Sequence, residues 1–257
     1  MQENSRWHAF ENADQIAVAA CQQILNAAER AIADHGMFKL VLAGGKTPEH
    51  VYQLLSQADT NWSKWVIYYG DERSLPADHP DRNSVMASQA WLSKVSIPSE
   101  QIHTMPTEIG TELAAAFYQP LVSAALPFDL VLLGMGEDGH TASLFPGHQQ
   151  NEDELVHAVY NSPKPPQERI TLSAAALSTS HEVIFLIAGG NKQEVVKHWQ
   201  QGADLPVARI LPENPIDIYI LREYLQTPAT SDLSPDYCCQ QGYALDSANQ
   251  HHDNMPG

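Results

Sequence analysis

The sequence predicts an α/β fold: a mostly parallel, doubly wound sheet with helices on both faces. Three observations carry that expectation. Apolar runs at residues 40–43, 130–133 and 183–188 lack alternation, as strands do when both of their faces are covered. Each run ends in glycine, at Gly44, Gly134 or Gly189, where the chain must turn. Helix-forming segments lie between the runs at the spacing of repeated βα units.

Taken in order, residues 13–35 read as one long amphipathic helix. Ile16, Ala20, Ile24, Ala27, Ala28 and Ala31 share a face, and Gly36 is the stop. A strand at 38–43 follows. Gly44, Gly45, Lys46, Thr47 and Pro48 then open a helix over 49–57, with Thr47 as N-cap and Pro48 at the first helical position. The next strand, 65–69, leads into Gly70, Asp71, Glu72 and Arg73, then a proline-containing loop and a helix near 84–91. A helix over 112–125 precedes the strand at 130. After a polar loop from 149 to 167, residues 169–172 form a short strand and 183–188 a buried one, ending in Gly189 and Gly190. Residues 192–200 are helical, and 206–211 with 216–221 supply a last strand and closing elements. Beyond about residue 226, Pro, Ser, Asp, Gln, Asn and His dominate, as in a flexible tail. The expected organisation is a single α/β domain over 1–225 and a tail over 226–257.

A chain of 257 residues, 43% of them hydrophobic, can bury one large core. No apolar run approaches the roughly 20 residues that cross a bilayer, and the N-terminus lacks the basic-then-apolar character of a signal peptide. A soluble, cytoplasmic protein with no membrane partner is expected. Cys21, Cys238 and Cys239 do not make a disulfide framework, which agrees with a reducing compartment. The net charge of −17 argues against nucleic acid, whose backbone needs clustered Lys and Arg. Cys238, Cys239, His251 and His252 lack structural zinc spacing in a folded-looking segment, so no metal is expected. The oligomeric state is not legible.

The most informative stretch is 128–148, FDLVLLGMGEDGHTASLFPGH. A strand covered on both faces runs into Gly134, Gly136 and Gly139, which let the backbone turn tightly, and Asp138 and His140 arrive together where strand becomes loop. Histidine has the proton affinity nearest neutral pH, which favours catalysis over a merely structural turn. The junctions AGGKTP at 43–48 and AGGNK at 188–192 present glycine backbone N–H groups at helix starts, each with a lysine, Lys46 or Lys192. Such junctions bind phosphate, and the pair points to a phosphorylated small molecule. Neither matches the phosphate loop of nucleotide hydrolases. Arg73, with its planar fork, either holds an anion or pairs internally with Asp71 or Glu72. Arg169 sits at another element boundary. His157, His181 and His198, with His8, His35 and His50, lie on helix or loop positions and read as ordinary solvent-facing residues.

Together GMGEDGHTASLFPGH, GDERSLPADHPDRNSVMA, LAGGKTPEHVY and RITLS resemble the 6-phosphogluconolactonase family, within the superfamily of sugar-phosphate isomerases, over roughly residues 6–222. The resemblance implies hydrolysis of 6-phosphogluconolactone to 6-phosphogluconate in the oxidative pentose phosphate pathway, with no metal or organic cofactor. It implies His140 as general base and acid, with Asp138 or Asp71 orienting the imidazole or its loop. Arg73, Arg169 and Lys192, with the backbone of Gly44 and Gly45, would hold phosphate or oxyanion in a division left open. The family often carries Ser or Arg where this chain has Lys46, whose part in phosphate binding stays open.

Two rivals differ in class. Amino-sugar-phosphate isomerases and deaminases share the fold, but the deaminase relatives read Asp-Glu-Tyr where this chain has Asp71-Glu72-Arg73. Their histidine loop continues toward Asn-Glu-Pro rather than Thr-Ala-Ser-Leu-Phe-Pro. A non-catalytic sugar-phosphate sensor would carry a DNA-binding helix-turn-helix, which the short N-terminus and acidic composition do not supply.

Overall fold

The structure is a computed structural model that describes residues 4–148, 151 and 153–225. The chain opens with β1 (Ser5–Phe10) and continues through α1 (Ala13–His35), β2 (Phe38–Leu42), α2 (Lys46–Leu55), β3 (Trp65–Tyr69), β4 (Asp71–Arg73) and α3 (Asn83–Ala90). Then come α4 (Thr111–Ala125), β5 (Phe128–Gly134), β6 (Val156–Val159), β7 (Arg169–Leu172), α5 (Ala174–Ser178), β8 (Ser180–Ile187), α6 (Gln193–Gln200), β9 (Ile216–Leu221) and α7 (Arg222–Leu225).

Six strands pair in parallel in the order β1-β9-β8-β5-β2-β3. Every residue of Phe128–Leu133 in β5 is buried, so this central strand is covered on both faces, as its unbroken apolar run requires. From β2 the chain moves outward to β3, whereas from β5 it moves the other way to β8. The carboxyl ends of β2 and β5 therefore flank a topological switch point, where such sheets bind ligands.

Local chemistry explains the boundaries. The Asn12 side chain accepts from the N–H of Gln15 and starts α1, and Gly36, at φ +87°, donates to the Ile32 carbonyl and ends it. Two buried tyrosines pin strand ends beside the switch point. The Tyr52 hydroxyl accepts from the Ala43 N–H (3.0 Å) and donates to the Ala43 carbonyl (2.8 Å) just after β2. The Tyr118 hydroxyl accepts from the Tyr69 N–H (3.1 Å) at the end of β3 and donates to the His103 carbonyl (2.8 Å). Burial pushes both phenols well above their ordinary pKa, so they remain neutral donors.

Several expectations need correction. Residues 5–10 form β1, a parallel partner of β9 whose Arg6 and His8 both bond Asp217. Residues 71–73, expected at the end of the strand over 65–69, form a strand of their own, β4, and the polar loop expected over 149–167 contains β6. With β7 they make a separate antiparallel sheet, ordered β4-β7-β6. Helix α2 begins at Lys46 rather than 49, with Gly45 at φ +108° as its cap and no side-chain cap from Thr47. Pro48 is tolerated because N–H groups of the first turn have no intrahelical partner. Of the segments expected to supply a last strand and closing elements, Ile216–Leu221 is the strand and Pro206–Arg209 is a 3-10 turn.

The histidines also differ from expectation. His8 meets Asp217 at 2.7 Å, His35 meets Asp129 at 2.8 Å, and His50 meets Asp14 at 3.3 Å. His157 is buried 3.3 Å from Glu154; His35, His181 and His198 are exposed as expected. The tail, with Cys238, Cys239, His251 and His252, lies outside the described residues. Among the described residues no helix is long and apolar enough to cross a membrane.

Candidate active site

At the switch point lies a cleft of 520 Å³, formed by the loops after β2, β5 and β8, by Gly70 and β4, and by Lys164, Pro165 and Arg169. Eight of the nine residues the sequence singles out line it: Gly44, Gly45, Lys46, Asp71, Arg73, His140, Arg169 and Lys192. The ninth, Asp138, stands directly behind His140.

His140 is held by a tight turn. Its carbonyl accepts from the Gly136 N–H (2.8 Å), Gly139 donates to the Gly136 carbonyl (3.1 Å), and the Thr141 hydroxyl donates to the Gly134 carbonyl (2.8 Å). Its Nδ1 is hydrogen-bonded to Asp138 Oδ1, and its ring packs 4.8 Å from that of Phe145. Nε2 is the ring nitrogen left for a ligand. A Cβ on Gly136 would fall on the imidazole, so the turn and the ring position specify one another.

Burial pushes the His140 pKa down. The hydrogen bond and charge of Asp138 pull it back up, Lys164 lowers it further, and the net shift is downward. For Asp138, burial alone would raise the carboxyl, but the hydrogen bond and charge of His140 prevail and hold it below the usual range. The resulting pair is an ionised carboxylate on Nδ1–H and a neutral imidazole with a lone pair on Nε2.

Asp71 does not touch the imidazole. Its Oδ2 accepts from the Ser143 hydroxyl (2.6 Å), three positions after His140, and its Oδ1 accepts from the Asn83 amide (3.0 Å). It thus braces the loop that carries His140. Asn83 in turn abuts the glycine turn after β2, where a Cβ on Gly44 would collide with its amide oxygen.

Neither internal salt bridge considered for Arg73 forms. Glu72, fully buried, accepts from the N–H groups of Arg73, Asn83 and Ser84 at 2.8 Å each and lies 3.5 Å from Arg82 Nε. Among the described residues no carboxylate pairs with Arg73, whose Nη1 donates to the Asp81 carbonyl (2.5 Å) and whose buried Nε has no partner. Across the β4–β7 pair, Arg73 stands directly opposite Arg169.

Arg169, also buried, is fixed by the carbonyls of Pro165 (2.9 Å), Lys164 (3.1 Å) and Pro166 (3.1 Å). Burial and the nearby Arg73 lower its pKa against the opposing pull of Asp71. Two cations opposed across a ladder repel, and an anion between them would relieve that repulsion.

Lys192 caps α6 after Gly189 (φ +72°) and Gly190 (φ +68°), and its Nζ donates to the Ala188 carbonyl (3.0 Å). Burial lowers its pKa; Glu137 opposes this and Lys164 adds to it. The Glu137 carboxylate accepts from the Asn191 N–H (3.2 Å), joining the loops after β5 and β8. Lys46, at the start of α2, is exposed at the rim.

Sequence reasoning missed Lys164, Ser143, Asn83 and Glu137. A lysine in a proline loop just ahead of Arg169 was an available signal for Lys164; Asn83 reaches the site only through tertiary packing. Among the described residues no group of three or more His, Cys, Asp and Glu side chains is arranged to hold a metal ion.

The family model of glucosamine-6-phosphate isomerases/6-phosphogluconolactonase matches residues 11–219. A 6-phosphogluconolactonase of Nostoc sp. is 40% identical over 193 residues, 70% of this chain and 79% of that protein. The one from Mycobacterium tuberculosis is 38% identical over 211 residues, 76% of this chain and 85% of that one. The crystal structure of 6-phosphogluconolactonase from Thermotoga maritima superposes with a TM-score of 0.79 at 29% identity, covering 85% of this chain and all 100% of the other. A monomeric glucosamine-6-phosphate deaminase, at 20% identity and a TM-score of 0.75, shares the fold. With the glycine turns, the acid–histidine loop and the opposed arginines in one cleft, and relatives matched over most of their length, the chain belongs to the 6-phosphogluconolactonase family.

Proposed function

We propose that this enzyme hydrolyses 6-phospho-D-glucono-1,5-lactone to 6-phospho-D-gluconate, with His140 moving both protons. The observation that carries the mechanism is a neutral imidazole with its Nδ1 on Asp138 and its Nε2 free, set in a cleft lined by cations. His140 Nε2 takes a proton as water attacks the lactone carbonyl, forming the C–O bond and a tetrahedral oxyanion. Collapse of that oxyanion breaks the bond to the ring oxygen, which receives the proton from His140. Asp138 stabilises the transient imidazolium, and Asp71 holds its loop through Ser143.

Arg73, Arg169 and Lys192, with the Gly44 and Gly45 backbone, supply the charge for the phosphate and the oxyanion. Opposed arginines with no carboxylate partner among the described residues support that assignment for Arg73 and Arg169. Residues 1–225 are proposed to be the catalytic unit, since every one of these groups lies within them.

The test generates the lactone in situ from glucose 6-phosphate and subtracts the enzyme-free rate, because the lactone also opens unaided. Wild type should accelerate opening, and His140→Ala should lose about 10²- to 10⁴-fold of the rate, the range for a positioned general acid–base. Wild type indistinguishable from background would overturn the reaction, whereas an active His140→Ala would overturn only the histidine's role.

A further inference from the structure

The two glycine turns that face the cleft differ in what already occupies them. At the turn after β2 no side chain caps the start of α2. At the turn after β8 the Glu137 carboxylate is in place. Its Oε1 accepts from the Asn191 N–H (3.2 Å) and lies so close over Gly190 that a Cβ there would come within 2.7 Å of it. Glu137, Gly189, Gly190 and Lys192 all line the cleft. A carboxylate thus stands on an N–H, and beside a cation, that an incoming anion would use.

Its attachment is light. Asp71, the other acid lining the cleft, is buried and held by Ser143 (2.6 Å) and Asn83 (3.0 Å). Glu137 is exposed, and its N–H contact lies at the long end of the hydrogen-bond range. Lys192 Nζ donates to the Ala188 carbonyl rather than to Glu137. The charge is nevertheless felt there, since Glu137 is what opposes the downward pull of burial on the Lys192 pKa. Asp138, the next residue, serves His140, so two adjacent carboxylates serve opposite sides of the cleft.

We infer that Glu137 is a resident competitor at this turn: its carboxylate covers the Asn191 N–H in the free enzyme, and an anion seats there only by displacing it. The inference rests on reading the cleft as a sugar-phosphate site. Displacement weakens every anion by the same factor, and a turn covered about nine-tenths of the time weakens each about 10-fold. A sugar phosphate that also meets Arg73 and Arg169 keeps useful affinity. Free orthophosphate, with fewer contacts, is kept out, and the product anion leaves sooner.

A plain helix cap would make the same contact, but the two roles differ in sign. Removing a cap loosens the turn and weakens anion binding. Removing a competitor frees the N–H, takes a negative charge from beside Lys192 and strengthens it.

Isothermal titration of orthophosphate into the full chain, with no lactone present, tests this in wild type, Glu137→Gln and Glu137→Ala, with circular dichroism confirming that each is folded. Both variants should bind about 10-fold more tightly than wild type. In nitrogen–proton correlation spectra, orthophosphate should shift the Asn191 amide resonance at correspondingly lower concentration. Unchanged or weaker binding in either folded variant overturns the proposal, as does tighter binding that leaves the Asn191 resonance unmoved. Lactone turnover by wild type is measured separately, so its absence would overturn the proposed reaction and leave the titration to decide the role of Glu137.

Discussion

At the scale of single residues, the argument turns on the proton affinity of His140. A base must be unprotonated to accept from water, so kcat/KM should fall as pH drops through the His140 pKa, which burial places below the ordinary 6.5. The neighbours set the sign of each variant. Asp138 raises that pKa, so Asp138→Asn should move the acid limb further down while lowering the plateau. Lys164 lowers it, so Lys164→Ala should move the limb up. A pH–rate profile checks both, and a limb that neither variant displaces would mean another group titrates.

Asp138 and His140 were legible in the sequence because their contact spans two positions. Asp71 was only half legible, since the Ser143 hydroxyl it holds comes from 72 positions away. Still longer separations hid the acids beside His8 and His35, whose partners Asp217 and Asp129 lie on strands far along the chain.

At the scale of elements, the small β4-β7-β6 sheet places Arg73 opposite Arg169 and so builds the proposed anion site. Arg73→Ala should raise KM about 10- to 100-fold, as expected for losing a charged hydrogen bond of about 1.5–3 kcal/mol. It should leave the melting temperature unchanged or higher, because a like-charge pair is removed. Calorimetry beside the kinetics separates this from a structural role, in which the melting temperature would fall and KM would hold.

The turn after β5 carries its own prediction. Gly136 has no left-handed φ, so Gly136→Ala is compatible with the backbone, but its Cβ would displace the imidazole. Its kcat should drop about 100-fold with KM little changed, the consequence of misplacing a catalytic group. Normal kcat would show that the imidazole can move without penalty. Of the small sheet β7 was legible, but its pairing was not, because β4 and β6, with three and four residues, carry too little pattern to tell from their surroundings. Helix α1 and strand β3 were legible to the residue, having sustained periodicity in one case and a dense apolar run in the other.

For the whole molecule, net charge and local charge oppose one another. The proposed substrate carries a phosphate of about −1.5 to −2 and approaches a chain at −17, while Arg73, Arg169, Lys164 and Lys192 gather in the cleft. Salt separates the two fields by range. The Debye length shrinks from about 30 Å at 0.01 M to about 8 Å at 0.15 M, which screens surface carboxylates at long range before it weakens partly buried contacts. Hence kcat/KM should rise over that interval, while kcat at saturating lactone stays constant because the bound state no longer feels the approach. Arg73→Ala should lower every value of kcat/KM yet keep the rise, since the long-range field is almost unchanged by one arginine among 45 ionised residues, 14 basic and 31 acidic. A steady fall of wild-type kcat/KM with salt would reverse the assignment: the cationic cleft would then govern approach at a distance, and the acidic surface would have no kinetic consequence.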